Sequence, residues 1–293
     1  MMFVRPYVEL CKIRVSLLAA ASSVCGFMLS SSSWPDRGLL HTAAGVFILS
    51  CGASALNQYQ ERDIDRLMPR TQGRPLPSGR LTPLAALSVS LMLMGAGFLT
   101  LLAGAGTTAA WLGIFAVLWY NGVYTPLKRK SAFASIPGAL TGALPPLLGW
   151  SAGGGSLGDP GAGALALCFV IWQIPHFWLL LLHYGGEYEK AGLPSLTRIW
   201  SRRQLVRLTF IWTLCAAIIS LLLPLYRTVI YPFAAVALAL AAVWLVFTGT
   251  ALFRSRESDQ AVVSAFGRLN AYLLLVMLCL SLDRLTGMLL GAV

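Results

Sequence analysis

Charge is what this sequence has least of: only 11% of its 293 residues are charged, against about a quarter in an ordinary soluble domain. So little charge cannot cover the surface of a soluble globule of this length, which excludes that class. Acids are scarcer still, 11 against 22 Lys and Arg, and histidine occurs three times. The six cysteines (Cys11, Cys25, Cys51, Cys168, Cys215 and Cys279) form no C-x-x-C pair, which excludes zinc-ribbon and dithiol redox motifs. Most lie in or beside apolar runs, where a thiol packs as a small hydrophobe. No polar stretch could fold alone as a soluble domain, and the longest is about 59–83.

What is there instead is apolar length. Hydrophobic residues make up 57% of the chain and mean hydropathy is +0.72. A helix needs about 20 such residues to cross a bilayer. Runs of that kind fall near 13–33, 39–58, 84–104, 107–124, 132–152, 163–184, 206–224, 229–252 and 268–291. The expected fold is all-α: a polytopic membrane protein of nine transmembrane helices around a central cavity, in one domain over 1–293. Its polar stretches, about 57–83, 124–131 and 183–207, are where chemistry is expected. The first run sits behind Arg5, Lys12 and Arg14 as a signal-peptide core would. It is long, however, and Ser30–Ser33 followed by Trp34–Pro35 makes a poor cleavage site, so it is expected to be retained.

If nine spans alternate, nineteen of the 22 Lys and Arg fall on one side. Arg5, Lys12 and Arg14 precede the first span. Arg62, Arg66, Arg70, Arg74 and Arg80 follow the second, and Lys128, Arg129 and Lys130 follow the fourth. Lys190, Arg198, Arg202, Arg203 and Arg207 follow the sixth, and Arg254, Arg256 and Arg268 surround the start of the ninth. Only Arg37, Arg227 and Arg284 fall opposite. The positive-inside rule then puts the N-terminus and the polar loops in the cytoplasm and the C-terminus outside. The net charge of +11 reads as topology and phosphate chemistry, and no nucleic-acid partner is expected.

Chemistry-bearing residues cluster in these basic stretches. Asn57, Glu61 and Asp65 are spaced i, i+4, i+8, which on a helix puts three oxygen-bearing side chains on one face. Such a row suits Mg²⁺, whose shell is completed by water and substrate phosphates. It also suits a solvated helix with local ion pairs to Arg62 and Arg66. Arg70 and Arg74 follow, with guanidinium forks that match phosphate oxygens. In Tyr124-Thr-Pro-Leu-Lys128-Arg129-Lys130, three adjacent cations fit either a phosphate site or a membrane anchor. The sixth run carries Trp172-Gln-Ile-Pro175-His176-Phe177-Trp178. His176 could ligate a porphyrin iron, or bond to the backbone carbonyl that Pro175 frees. His183 and Glu187, also i, i+4, lead into Tyr188-Glu189-Lys190. The second and sixth runs thus both end in acidic, basic stretches, and the two could converge on one site.

Together these segments resemble the UbiA superfamily of intramembrane prenyltransferases. Asn57-x-x-x-Glu61-x-x-x-Asp65 matches its N-x-x-x-[DE]-x-x-x-D signature. The continuation through Met68-x-Arg70-Thr71-x-x-Arg74-Pro75-Leu76 is similar to the heme O synthase branch. So are Tyr124 to Arg129, Gly142 to Trp150, Trp172 to Phe177, and Glu187-Tyr188-x-x-Ala191-Gly192-x-Pro194. The resemblance runs from about Lys12 to Pro194.

It implies a UbiA-type bundle in the bacterial cytoplasmic (inner) membrane, embedded in membrane lipid. An isoprenyl diphosphate would be held through Mg²⁺ by two acidic motifs, with Asn57, Glu61, Asp65 and Glu187 as ligands. Arg70, Arg74, Tyr124, Lys128 and Arg129 would hold the diphosphate, and His176, Trp172 and Phe177 the heme. The implied substrates are farnesyl diphosphate and heme b, and the implied partners are heme-handling or oxidase-assembly proteins. The chain departs from the branch at Ala134 (commonly Asn), at Gly185–Gly186 (a basic–acidic pair), at Ser195-Leu-Thr197 (Met-Leu-Pro) and at Glu187 (Asp). These departures surround the second acidic motif and the acceptor side. Two rivals stand beside this reading: the same fold acting on a quinone-precursor ring, and a membrane transporter. A transporter would line its path with ionisable residues, whereas most acids here sit at one membrane face beside arginines.

Overall fold

The computed structural model describes residues 4–32, 36–226, 228–254 and 258–292. Ser33, Trp34, Pro35, Arg227, Arg256 and the C-terminal Val293, all used in the sequence reading, lie outside them, as does the side chain of Arg254. Among the described residues there is no strand, and all nine apolar runs are helical. They form α1 (Ile13–Ser30), α2 (Arg37–Asp65), α3 (Pro83–Gly104), α4 (Thr107–Val117), α5 (Leu140–Ala152), α6 (Pro160–Lys190), α7 (Arg202–Leu222), α8 (Pro232–Gly249) and α9 (Asp259–Leu289). Seven of these, all but α4 and α5, are single helices long and apolar enough to cross a membrane. The fourth run changes into a π turn over Leu118–Tyr124 and ends as Thr125–Leu127. The fifth is interrupted at Ala139, after a short turn at Ser135–Gly138.

Capping explains where several helices begin. Asp36 accepts from the Gly38 N–H at 2.7 Å, Thr82 from Ala85, and Ser201 with Gln204 forms a reciprocal capping box at α7. Each satisfies N–H groups that the first turn leaves without partners. α2 and α6 outrun their apolar stretches, so the polar residues 57–65 and 183–190 are helical, not loop.

Side chains such as Leu84, Met92, Leu99, Leu240, Val243 and Phe247 are exposed along α3 and α8. Only lipid makes such a surface favourable. Helix association in lipid relies on close contact, and α1 and α5 show it. A Cβ at Gly26 would collide with the Pro146 carbonyl, and one at Gly149 with the Ser23 carbonyl. The largest buried cluster joins α1 and α5 to α6–α9. A second joins α2, α3, α4 and α5. A third, Leu10, Ala55, Leu76, Leu81 and Ala86, seats the N-terminal stretch on α2.

Candidate active site

The last two turns of α2 bury Asn57, Glu61 and Asp65 on one face, at 1%, 5% and 1% exposure. A buried carboxylate without a partner would cost several kcal/mol, and here each acid has a cation from another element. Lys128, just past the Thr125–Leu127 turn that ends the fourth run, pairs with Glu61. Arg74, in the connection to α3, pairs with Asp65 at 2.7 Å. Lys12 Nζ donates to Asn57 Oδ1 at 2.9 Å. Arg62 instead reaches the Tyr59 carbonyl at 2.8 Å and Asp63 at 3.9 Å. Local pairing with Arg62 is therefore not what holds Glu61 and Asp65.

The π turn is what sets α4 against this face, as such turns often do at functional sites. Thr125 Oγ1 donates to the Tyr120 carbonyl at 2.9 Å and accepts from Asn57 Nδ2 at 3.2 Å. Asn121 Nδ2 donates to the Ala53 carbonyl at 3.0 Å and to Gln60 Oε1 at 3.2 Å. Gln60 Nε2 returns a bond to the Asn121 carbonyl at 3.0 Å. Arg129, expected at the diphosphate, donates to the Gln60 carbonyl instead.

Lys12 has φ 46° and ψ 53°, the one left-handed backbone among the described non-glycine residues. That conformation costs about 1–2 kcal/mol. It separates the short helix Arg5–Leu10 from α1. Burial, then the Arg74 cation, lowers the Lys12 ammonium to about 7, with Glu61 opposing. Burial alone would lower Lys128 too, but Glu61 outweighs it and holds that ammonium above its usual range.

Aromatic rings continue from the cations. Lys128 Nζ lies 5.7 Å from the Tyr124 ring centre, within range for attraction to the ring face. Tyr124 stacks on Tyr120 at 6.0 Å and on Phe177 at 5.6 Å. Phe177 in turn meets His176 edge-on at 5.9 Å. The His176 ring sits 4.8 Å from both Trp172 and Phe266. Its Nδ1 is buried without a partner, and so is Nδ1 of His183. The carbonyl freed by Pro175 therefore does not engage His176 Nδ1. Trp172 donates to the Leu269 carbonyl at 2.8 Å. Trp178 turns away, toward Ser135, Trp200 and Trp212.

The two acidic stretches do meet, through Arg70. Its backbone N–H reaches Glu187 Oε2 at 3.3 Å, and its guanidinium meets Tyr188 OH at 3.5 Å and lies 4.6 Å over the Tyr184 ring. Arg70 and Glu187 thus engage each other, apart from the paired acids of α2. Glu189 is held by Thr197 and Arg198. The departures at 185 and 197 are in contact, since a Cβ at Gly185 would stand 2.9 Å from Thr197 Cγ2. Ala134 is buried and Gly186 is open. Sequence reasoning missed Lys12, Gln60, Tyr120, Asn121 and Thr125 as site residues. Gln60 lies inside the Asn57–Asp65 signature and Thr125 inside Tyr124–Lys130, but a lysine ahead of a span reads as an anchor.

A profile of the UbiA prenyltransferase family matches residues 19–282. The chain belongs to the UbiA prenyltransferase family. It is 36% identical to a protoheme IX farnesyltransferase of Oleidesulfovibrio alaskensis over 94% of this chain and 95% of that one. It is 46% identical to one of Geobacter sulfurreducens over 63% of this chain and 67% of that one. The chain is therefore a prenyltransferase of the protoheme IX farnesyltransferase (heme O synthase) branch, and an integral membrane protein. Two solved structures share the UbiA fold. A digeranylgeranylglyceryl phosphate synthase gives a TM-score of 0.77 at 18% identity, over 98% of this chain and all of that one (100%). A UbiA homolog from Archaeoglobus fulgidus bound to GPP and Mg²⁺ gives 0.69 at 14% identity, over 94% and 99%.

The donor set fits a hard cation under one condition. Among the described residues no three of His, Cys, Asp and Glu gather closely enough to hold a metal. Two carboxylates and an amide oxygen on one face suit Mg²⁺ when water and phosphate oxygens complete the shell.

Proposed function

We propose that this chain transfers the farnesyl group of farnesyl diphosphate to a vinyl group of heme b, giving heme O for terminal-oxidase cofactor biosynthesis. The observation that carries this reading is the contact run from Lys128 through Tyr124 and Phe177 to His176. It sets a cationic, acid-lined end beside an imidazole with an unpartnered ring nitrogen. The names of its relatives agree with it.

Reaction begins when the C1–O bond of farnesyl diphosphate breaks and the electron pair leaves with the diphosphate. Arg74 and Lys128 stabilise that leaving charge, which grows in the transition state and so lowers the barrier. Asn57, Glu61 and Asp65 would hold Mg²⁺, which would supply Lewis-acid neutralisation of the phosphate oxygens. Tyr120, Tyr124 and Phe177 shelter the allylic cation from water and face it with π density. The terminal vinyl carbon bonds to C1, and positive charge passes to the vinyl carbon next to the porphyrin ring. Water adds there and loses a proton, leaving the hydroxyethylfarnesyl group. His176 positions the porphyrin through its iron, with Trp172 against the imidazole. Glu187, held by Arg70, marks where the second acidic motif closes over the diphosphate. The distribution of Lys and Arg supports a cytoplasmic site in a bacterial inner membrane, open to two lipid-soluble substrates.

The test is purified protein with heme b, farnesyl diphosphate and Mg²⁺, its products read by mass. A heme heavier by one farnesyl and one hydroxyl group is expected. Heme recovered unchanged, with a quinone-precursor ring prenylated in its place, overturns the acceptor. His176→Ala should shift the Soret band of bound heme while His183→Ala does not. Identical spectra remove the iron role.

A further inference from the structure

Lys12 has no part in the proposed chemistry, yet its surroundings give it one. Resting on the reading of the α2 face as a diphosphate site, we infer that the Lys12 ammonium holds the cation position at Asn57 until diphosphate arrives. A divalent metal then enters with the diphosphate and not ahead of it.

The argument begins with one proton. A threonine hydroxyl has a single hydrogen to donate, and that of Thr125 goes to the Tyr120 carbonyl at 2.9 Å. Thr125 Oγ1 can therefore only accept from Asn57, at 3.2 Å, so the group facing it is Nδ2. The Asn57 amide is fixed in one orientation, since flipping it would turn its NH₂ toward an ammonium. Its oxygen is presented to the other side, where Lys12 Nζ occupies it at 2.9 Å. The oxygen Asn57 could offer a metal is the one Lys12 holds.

Charge makes the same case independently. Lys12, Arg74 and Lys128 contact one amide and two carboxylates, so while Lys12 is protonated the cluster carries one excess positive charge. A dication arriving alone would deepen that excess where water screens it poorly. A dication arriving with a diphosphate brings the cluster back toward neutrality. The site is thus built to refuse bare metal.

Lys12 can also move. Gln58 Nε2 holds the Glu9 and Leu10 carbonyls at 3.2 and 2.8 Å, which fixes the backbone just before it. Its left-handed φ of 46° aims the side chain across α2 from the junction of two helices. The long flexible stem leaves the ammonium free to swing from Asn57 Oδ1 to a phosphate oxygen. Lys12 is then a positioning residue in the resting protein and a phosphate ligand in the loaded one.

The test titrates purified wild type, Lys12→Met and Lys12→Arg with Mn²⁺, alone and with inorganic pyrophosphate, reading free Mn²⁺ by electron paramagnetic resonance. Wild type and Lys12→Arg should take up Mn²⁺ at this site only with pyrophosphate. Lys12→Met should bind Mn²⁺ alone about tenfold more tightly than wild type, and pyrophosphate about tenfold more weakly, the scale of one charge-assisted contact. Wild type binding bare Mn²⁺ as tightly as Lys12→Met overturns the inference. So does Lys12→Met behaving as wild type, or Lys12→Arg losing pyrophosphate as fully as Lys12→Met, which marks a structural role. Glu61→Gln is the separate arm. If it keeps wild-type uptake of Mn²⁺ with pyrophosphate, the α2 face is not the diphosphate site, whatever Lys12 does.

Discussion

At opposite ends of α1 lie two buried acidic places held in different ways. Near Ser31, Asp283 is fully buried, and its two oxygens accept from the backbone N–H groups of Ile230 and Tyr231 at 2.7 and 3.0 Å. Arg284 beside it donates to the Ser31 carbonyl at the end of α1. Near Lys12, Glu61 and Asp65 are buried to a similar degree, but side-chain cations hold them. Backbone amides cannot leave, so Asp283 is a fixed joint tying α9 to the start of α8. Lysine and arginine side chains can leave for a better anion, so Glu61 and Asp65 sit in a cluster that can exchange partners. Equal burial thus serves architecture at one end and, in the proposed mechanism, chemistry at the other.

Removing an acid at the exchangeable end should have the largest effect. Glu61→Ala or Asp65→Ala should lower turnover about 10³-fold or more, the scale of a lost metal ligand at developing charge, with folded protein still in the membrane. Product mass reads this out, and turnover within a few-fold of wild type would erase the distinction between the two ends. Next comes Asp283→Ala, which orphans two buried amides and should remove about 2–3 kcal/mol of stability. Its unfolding midpoint in detergent should fall while the folded remainder turns over within about twofold of wild type. A stable Asp283→Ala protein without activity would put chemistry at the wrong end.

Smaller effects sharpen the picture. Lys128→Met and Arg74→Gln each remove one charge-assisted contact to the departing diphosphate and should both raise KM for farnesyl diphosphate and lower kcat, about tenfold in each. Heme binding, followed by its absorption band, should stay unchanged; equal loss of both substrates would show a folding defect instead. Smallest is Gly185→Ala, which presses on Thr197 and loosens its hold on Glu189. An overpacked contact of this kind should lower stability by about 1 kcal/mol, and turnover should fall less than twofold. A larger loss of turnover would make the Thr197 clip part of the exchangeable site.

Much of this was legible before any contact was known. Spacing at i, i+4, i+8 put Asn57, Glu61 and Asp65 on one face, because helix geometry alone decides which side chains share a side. Apolar length gave nine helical segments for the same local reason. The π turn was not legible, since nothing in Leu118–Tyr124 marks where one residue is gained in the turn. Nor was the division of neighbours on α6: Phe177 reaches Tyr124, His176 reaches Phe266, and Trp178 reaches Trp212. Successive helical side chains diverge by about 100°, and which neighbour fills each direction depends on the rest of the bundle.

The sequence by itself determined that the chain lives in lipid and that its family signature lies on one face of α2. Those properties follow from composition, run length and periodicity, all local. Only the tertiary structure decided which cation meets which acid, that Arg70 serves Glu187, and that Lys12 closes on Asn57 from 45 residues away. These contacts depend on how closely and at what angle helices approach. That approach is set by contacts such as Gly26 on Pro146 and Gly149 on Ser23, where the absence of a side chain lets two backbones meet.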